Sequence, residues 1–206
     1  STSSAASDVY KRQKLDYVIP LPNLKYDKDA LMEILHDPKY GNFDAPEHTH
    51  NGRLISGIQV LADSKWFADF AGYHRKWHPE FKNLEPIKSI IKQLNGNMQL
   101  LYMSDEYAPA LFSKFPPNVV IGRHRDSNRT GAIHIPLTEN DSPTLFYKGD
   151  KLVYSYDHDG PCMMNIMKHS HGMKNDGKTR YTFQIATYHP WEMMREWYND
   201  SRLILN

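Results

Sequence analysis

Apolar residues in the first half of the chain recur at helical spacing. From Asp27 to His36, Leu31, Ile34 and Leu35 share one face, and Asp27 or Asp29 is placed to cap the first turn. From Asn83 to Leu94, Ile87, Ile90, Ile91 and Leu94 form a second stripe, with Pro86 in the first turn and Asn95-Gly96 as the stop. Lys65 to Trp77 spaces Trp66, Phe70, Tyr73 and Trp77 as a packing face and is predicted helical. Arg53 to Ala62 fits a strand or a short helix, and Asp16 to Pro22 reads as a short extended segment. Pro38 to Gly52 is predicted to be a loop. Its His48 and His50 form an H-x-H pair with no third ligand nearby, so they are assigned to a solvated or substrate-facing loop.

Beyond Met98 the pattern shortens. Runs at 98–103, 111–114, 118–123, 132–137, 144–147, 152–156, 162–167 and 179–188 are β-like. Turns rich in Gly, Asp, Asn and Pro separate them. Short strands at this spacing predict an all-β barrel or double sheet. Trp191 to Asn199 closes the chain as a helix. The expected fold class is α+β: a jelly-roll or cupin-like double-stranded β-helix over about residues 98–190, with N-terminal helices packed on it. Residues 1–12 are expected to be a flexible tail, and 13–206 one domain.

Composition narrows the function classes. A formal net charge of +1 gives no electrostatic case for nucleic acid or an anionic membrane. No run of 18 apolar residues occurs, and the opening STSSAASD lacks the apolar stretch of a signal peptide. The single cysteine, Cys162, lies among methionines and reads as a buried thiol. A cytoplasmic, reducing location is the expectation.

The candidate chemistry is in the β half. His124 and Asp126 are two positions apart, so in an extended chain both point to one side. A third ligand is needed, and His171 is the choice, with His169 left open as the alternative. Two histidines and a carboxylate leave coordination positions open, as in non-haem Fe(II) oxygenases, whereas a closed zinc site would want more Cys or His. The choice of His171 over His169 rests on a hairpin expected at Asp176-Gly177. That hairpin would pair Met173 with Arg180 and His171 with Thr182. Arg180 would then stand about 7 Å from His171, near the length of a five-carbon dicarboxylate. From His169, which shares the face, it would be about 13 Å away. A guanidinium fork suits a carboxylate, and Thr182 adds a hydroxyl.

Three stretches carry a family resemblance. They are Phe115-Pro-Pro-Asn-Val-Val-Ile-Gly-Arg-His-Arg-Asp, Gly131-Ala-Ile-His-Ile-Pro-Leu, and His171-Gly-Met-Lys-Asn-Asp-Gly-Lys-Thr-Arg-Tyr-Thr-Phe-Gln-Ile. Over about residues 98–190 the chain resembles the Fe(II)/2-oxoglutarate-dependent oxygenases, in the aspartyl/asparaginyl β-hydroxylase-like branch. The resemblance implies His124, Asp126 and His171 as iron ligands, Arg180 on the distal carboxylate of 2-oxoglutarate, and His134 as a co-substrate contact. It also implies hydroxylation of a substrate C–H bond by O2, with 2-oxoglutarate converted to succinate and CO2. Two departures stand out. The animal β-hydroxylases lack the carboxylate that Asp126 supplies. They also carry an arginine where this chain has Ala132, for which Arg129 is the available substitute. Asp126 argues against halogenation, which needs that coordination position empty. Arg180-Tyr-Thr-Phe is also similar to the alkylated-base demethylases, but the second arginine they need falls at Ala186. The substrate is expected to be a small molecule, such as an amino acid, or a peptidyl side chain. The loop Gly41 to Gly52 and Trp66, Tyr102 or Tyr107 are candidate walls. The alternative is a non-catalytic cupin-like binding protein.

Overall fold

Every second residue of the strand Arg180–Thr187 faces a different environment. Phe183 and Ile185 point to one side and are fully buried in apolar contacts, while Arg180, Thr182 and Gln184 point to the other and are also buried. A strand buried on both faces, one apolar and one polar, belongs at the centre of a sheet with a packing layer behind and a site in front. The computed structural model describes residues 14–37, 48–50, 53–55, 59–62, 75–77, 83–94, 110–127, 129–139 and 142–199, and puts this strand in that position.

The strands are β1 (Val18–Pro20), β2 (His48–His50), β3 (Arg53–Ile55), β4 (Gln59–Ala62), β5 (Arg75–Trp77), β6 (Ala110–Phe115) and β7 (Val120–His124). They continue with β8 (Gly131–Pro136), β9 (Thr144–Lys148), β10 (Lys151–Tyr156), β11 (Cys162–Met164), β12 (Ser170–Lys174) and β13 (Arg180–Thr187). Helices α1 (Lys28–His36), α2 (Glu85–Lys92) and α3 (Trp191–Asn199) complete the described elements. A major sheet runs β1-β11-β8-β13-β6-β4-β5, a minor sheet β10-β9-β12-β7, and β2 pairs with β3 apart from both. From β6 to β13 the chain alternates between the major and minor sheets, apart from the β9–β10 hairpin. This is a double-stranded β-helix, the expected fold class, and one form of the double sheet that the strand spacing predicts.

The helices cover the apolar back of the major sheet. Asp27 caps α1 by accepting from the Ala30 N–H at 3.0 Å, and Leu31, Ile34 and Leu35 turn inward. Pro86 opens α2, which buries Ile87, Ile90 and Ile91. The Gln93 amide joins the segment before α1 to the end of α2, accepting from Lys25 N at 3.0 Å and donating to Lys25 O at 2.7 Å. With Trp191 and Met194 of α3, these residues form one core with Phe112, Ile133, Ile135, Phe183 and Ile185. No described helix is long and apolar enough to cross a membrane.

Several expectations need correction. The sheet is not confined to the second half, because β1, β4 and β5 extend the major sheet. His48 to His50 is a strand rather than loop, and Arg75 to Trp77, expected as the end of a helix, is a strand parallel to β4. Residues 65–74, the run 98–103, the tail 1–12 and the wall candidates Trp66, Tyr102 and Tyr107 lie outside the described residues.

The hairpin at Asp176-Gly177 does not form. Strand β12 pairs with β7 and β9 in the minor sheet, and β13 pairs with β6 and β8 in the major one. The turn carries the chain from one sheet to the other. Asn175, fully buried, holds it there. Its side-chain N–H groups donate to the Phe115, Pro116 and Lys178 carbonyls at 2.8, 2.8 and 3.1 Å, and its backbone N–H donates to Val119 O at 2.8 Å. These carbonyls belong to the β6–β7 and β12–β13 crossovers, so Asn175 ties the two together. An Asp-Gly pair signals a tight turn but not whether the flanking strands share a sheet.

Phe183→Ala is expected to cost about 3–5 kcal/mol in urea unfolding, because it opens a cavity between the sheet and the helices. Leu152→Ala, on the exposed face of β10, should stay within about 0.5 kcal/mol. Equal costs would contradict this layering.

Candidate metal centre

Two neighbouring strands of the minor sheet aim the site. His171 of β12 is the register partner of His124 of β7, with ring centroids 4.3 Å apart, and of Phe146 of β9 on its other side. A bulge follows at once. Gly172 faces two residues of β7, and the pairing resumes one step out of register at Met173 and Ile121. A Cβ on Gly172 would lie 2.9 Å from the Ile121 carbonyl, so the close approach needs glycine. Bulges of this kind re-aim side chains beside functional sites. Asp126 follows β7, with its backbone N–H donated to Ile166 O at 3.0 Å.

One nitrogen from each of His124 and His171 and one oxygen of Asp126 all lie within 4.8 Å of one another. The protons on the rings follow from their neighbours. His124 Nδ1 is 2.8 Å from the Gly122 carbonyl, and His171 Nδ1 is 3.2 Å from the His169 carbonyl. A carbonyl only accepts, so each Nδ1 carries hydrogen, and in the neutral ring Nε2 keeps its lone pair. Metal-binding histidines are commonly oriented this way. His169, the alternative ligand, turns elsewhere and packs its ring on Tyr17 at 4.4 Å.

Charge is arranged around the same three residues. Burial would raise the Asp126 carboxyl. The Arg129 guanidinium, whose Nε donates to Oδ2 at 2.8 Å, and the two histidines instead hold it well below the usual carboxylate range. Burial and the nearby His124 push His171 down to about 4, against the pull of Asp126. Burial disfavours charge on His124 too, but Asp126 and the Gly122 carbonyl outweigh it and raise its pKa. Its Nε2 is 3.4 Å from Asp126 Oδ1. A proton shared there occupies the place that a divalent cation would take. The donor set of two imidazole nitrogens and an ionised carboxylate suits Fe(II).

Across the gap between the sheets, the inner face of the major sheet carries the other predicted residues. Arg180, Thr182 and Gln184 of β13 are buried, and Gln184 is the register partner of His134 of β8. Gln184 Nε2 donates to Thr182 Oγ1 at 3.1 Å. His134 keeps a buried Nδ1 without a hydrogen-bond partner, as does Arg129 at Nη1. Burial, then Arg180 and Arg129, hold the His134 pKa well below its ordinary value. Arg180 packs over the Phe115 ring, and its Nη1 meets Met173 Sδ and the Ser142 carbonyl. The Met173–Arg180 neighbourhood expected from a hairpin therefore exists, but it forms between the sheets.

Two residues here carried no sequence signal. His158 lies in what reads as an exposed Asp-His-Asp-Gly-Pro turn, yet it is buried against Arg180. Ser142, just before β9, gives Arg180 its carbonyl and accepts the Asp176 N–H at 3.0 Å.

No family model and no curated protein sequence matches the chain. Solved structures do. A prolyl hydroxylase from Trichoplax adhaerens, in complex with a hypoxia inducible factor oxygen degradation domain peptide fragment, aligns with a TM-score of 0.52 and 13% identity, over 87% of this chain and 84% of its own. A Pseudomonas putida prolyl-4-hydroxylase aligns at 0.38 and 13%, over 65% and 72% of the two chains. A cupin domain from Bordetella pertussis aligns at 0.33 and 20%, over 43% and 90%. At 13% identity the first of these is a likeness of fold, and the two lower scores add nothing to it. The protein is a double-stranded β-helix protein with two histidines and a carboxylate clustered on its minor sheet.

Acid should weaken the metal-free chain. Unfolded histidines take protons near pH 6.5, whereas folded His171 resists until about 4 and His134 and His158 also resist. As pH falls through that window the unfolded state binds more protons. Stability should drop by up to about 1.4 kcal/mol per pH unit for each such imidazole. His124, with its raised pKa, acts only at higher pH. Urea midpoints in chelator at pH 6.5 and pH 5 check this, and equal midpoints would contradict it.

Proposed function

We propose that this protein is an Fe(II)- and 2-oxoglutarate-dependent dioxygenase that hydroxylates an unactivated C–H bond. The observation that carries the reading is the convergence of His124, Asp126 and His171 within 4.8 Å. The fold likeness to a prolyl hydroxylase agrees with it. In this reading the three residues hold iron on one side and leave its other positions to co-substrate and O2. Bound iron and 2-oxoglutarate supply the oxidation, in which the keto acid becomes succinate and CO2 and one oxygen atom enters the substrate.

The chain's own residues prepare the site. Arg129, with the two histidines, keeps Asp126 ionised, and it fixes the carboxylate's orientation from Oδ2. The Gly122 and His169 carbonyls hold the two imidazoles by Nδ1, which turns each Nε2 toward the cluster. Arg180 is assigned the distal carboxylate of 2-oxoglutarate. It is buried at 2% exposure, and among the described residues it makes no ion pair with Asp or Glu. A buried cation without a counter-charge is costly, and an anionic ligand supplies one. Thr182 and His134 are assigned to the same co-substrate, and the unpartnered His134 Nδ1 supports this. Phe146 and Phe115 contribute apolar surface that keeps water away.

The β-hydroxylase-like branch remains the finer part of the proposal. Arg129, the substitute for the arginine missing at Ala132, spends its Nε on Asp126 and has Nη1 left for a ligand. The substrate class is a small molecule, such as an amino acid, or a peptidyl side chain.

Succinate release should begin when O2 is admitted to chain loaded anaerobically with Fe(II) and 2-oxoglutarate. Asp126→Ala or Asp126→Gly should abolish hydroxylation, and preserved turnover would remove Asp126 from the ligand set. Arg180→Ala should raise the KM for 2-oxoglutarate on the order of 100-fold, as expected for a lost charged hydrogen-bond pair. No turnover and no 2-oxoglutarate binding would favour a non-catalytic cupin-like binding protein.

A further inference from the structure

His158 lies between β10 and β11 with a φ of 60°, in the left-handed region that a side chain with a Cβ seldom occupies. It is 7% exposed although it sits in a connection, and connections usually run over the surface. Such a conformation persists where surrounding contacts hold it, and it concentrates at functional sites. The contacts here are specific. Nε2 is 2.7 Å from Thr144 Oγ1 on the minor sheet. Arg180 Nη2, from the major sheet, is 2.9 Å from Nε2 and 3.2 Å from Nδ1. The Tyr156 ring packs edge-on at 4.9 Å, and the His134 ring stands 5.7 Å away. His158 thus bridges the two sheets through Thr144 and Arg180.

Arg180 has only donors, so an imidazole lone pair must face it and the ring is neutral. Burial and Arg180 hold His158 well below its ordinary pKa, in agreement. A neutral partner is what this position requires if an anion is to arrive. A carboxylate here would pair with Arg180 and repel a dicarboxylate, while a second cation would add to the cost of buried charge. An imidazole does neither, and it offers one N–H of its own. The Thr144 hydroxyl can donate or accept, so it satisfies either tautomer and leaves the ring proton free to follow a ligand.

Resting on the dioxygenase reading, we propose that His158 is a positioning residue for the far carboxylate of 2-oxoglutarate. It steadies the Arg180 fork from Thr144 and adds a neutral hydrogen bond beside the guanidinium. An oxygen bound to Arg180 Nη2 at an ordinary distance of about 2.8 Å lies beside the imidazole, which touches the same nitrogen.

The test is calorimetric titration of the full chain, with Mn(II) in place of iron, using 2-oxoglutarate and then pyruvate, which lacks the far carboxylate. His158→Ala should weaken 2-oxoglutarate on the order of 10- to 100-fold, the loss of a hydrogen bond to a charged group, and leave pyruvate within about 2-fold. His158→Asn tolerates the left-handed backbone and keeps a donor and an acceptor, so it should regain most of the loss. Unchanged 2-oxoglutarate affinity in His158→Ala, with affinity still lost in Arg180→Ala, overturns the role of His158 and leaves the dioxygenase reading standing. Equal weakening of both ligands in both His158 variants assigns the residue to folding and also overturns the proposal. A wild-type chain that binds no 2-oxoglutarate overturns both.

Discussion

The Arg129 guanidinium meets the Asp126 carboxylate at 2.8 Å in a part-buried setting, and the candidate site depends on that contact. Burial favours a protonated acid, a poor metal ligand, and Arg129 together with the two histidines outweighs it. The carboxylate stays charged and faces two imidazoles whose outer nitrogens are tied to backbone carbonyls. The three donors do not need to find one another when a cation arrives. Their geometry is set beforehand by the register of β7 and β12, the Gly172 bulge and the Asp126 backbone bond to Ile166.

The second constraint is the two-sided character of the major sheet. Its back is apolar and closed by helices, which makes the sheet a rigid support. Its front carries Arg180, Thr182, Gln184 and His134. Apolar clusters flank these polar groups, with Ala132, Cys162 and Phe146 in one and Phe115, Val119 and Met173 in the other. Buried polar groups on a sheet face require partners or a ligand. Some are partnered here, such as Gln184 with Thr182, and others keep an atom unmatched, such as His134. The polar front of one sheet thus faces the ligand cluster of the other.

Much of this was legible in the sequence because it is local. The stripes of α1 and α2, the Asp27 cap, the closing helix from Trp191 and the short strands after Ala110 each follow from spacing within a few residues. His124 and Asp126 were readable for the same reason, since two positions along an extended chain share a side. Sheet membership was harder to read. Asp176-Gly177 signals a turn, but the Asn175 bonds to distant carbonyls make it a crossover. His171 came into place although the hairpin used to select it does not exist. It pairs directly with His124, and Arg180 reaches Met173 from the opposite sheet. His158 was invisible because its turn residues predict exposure, and only the packing of Thr144 and Arg180 against it shows otherwise.

Visible absorption spectroscopy offers the most direct test of the central claim. Fe(II) and then 2-oxoglutarate would be added to the chain under strict exclusion of O2 while visible absorption is recorded. If His124, Asp126 and His171 hold iron with room for a chelating keto acid, a charge-transfer band should grow with 2-oxoglutarate, saturate at one equivalent of iron, and vanish in His171→Ala. A wild-type chain that takes up no iron, or takes it up without any band on adding 2-oxoglutarate, would contradict the account.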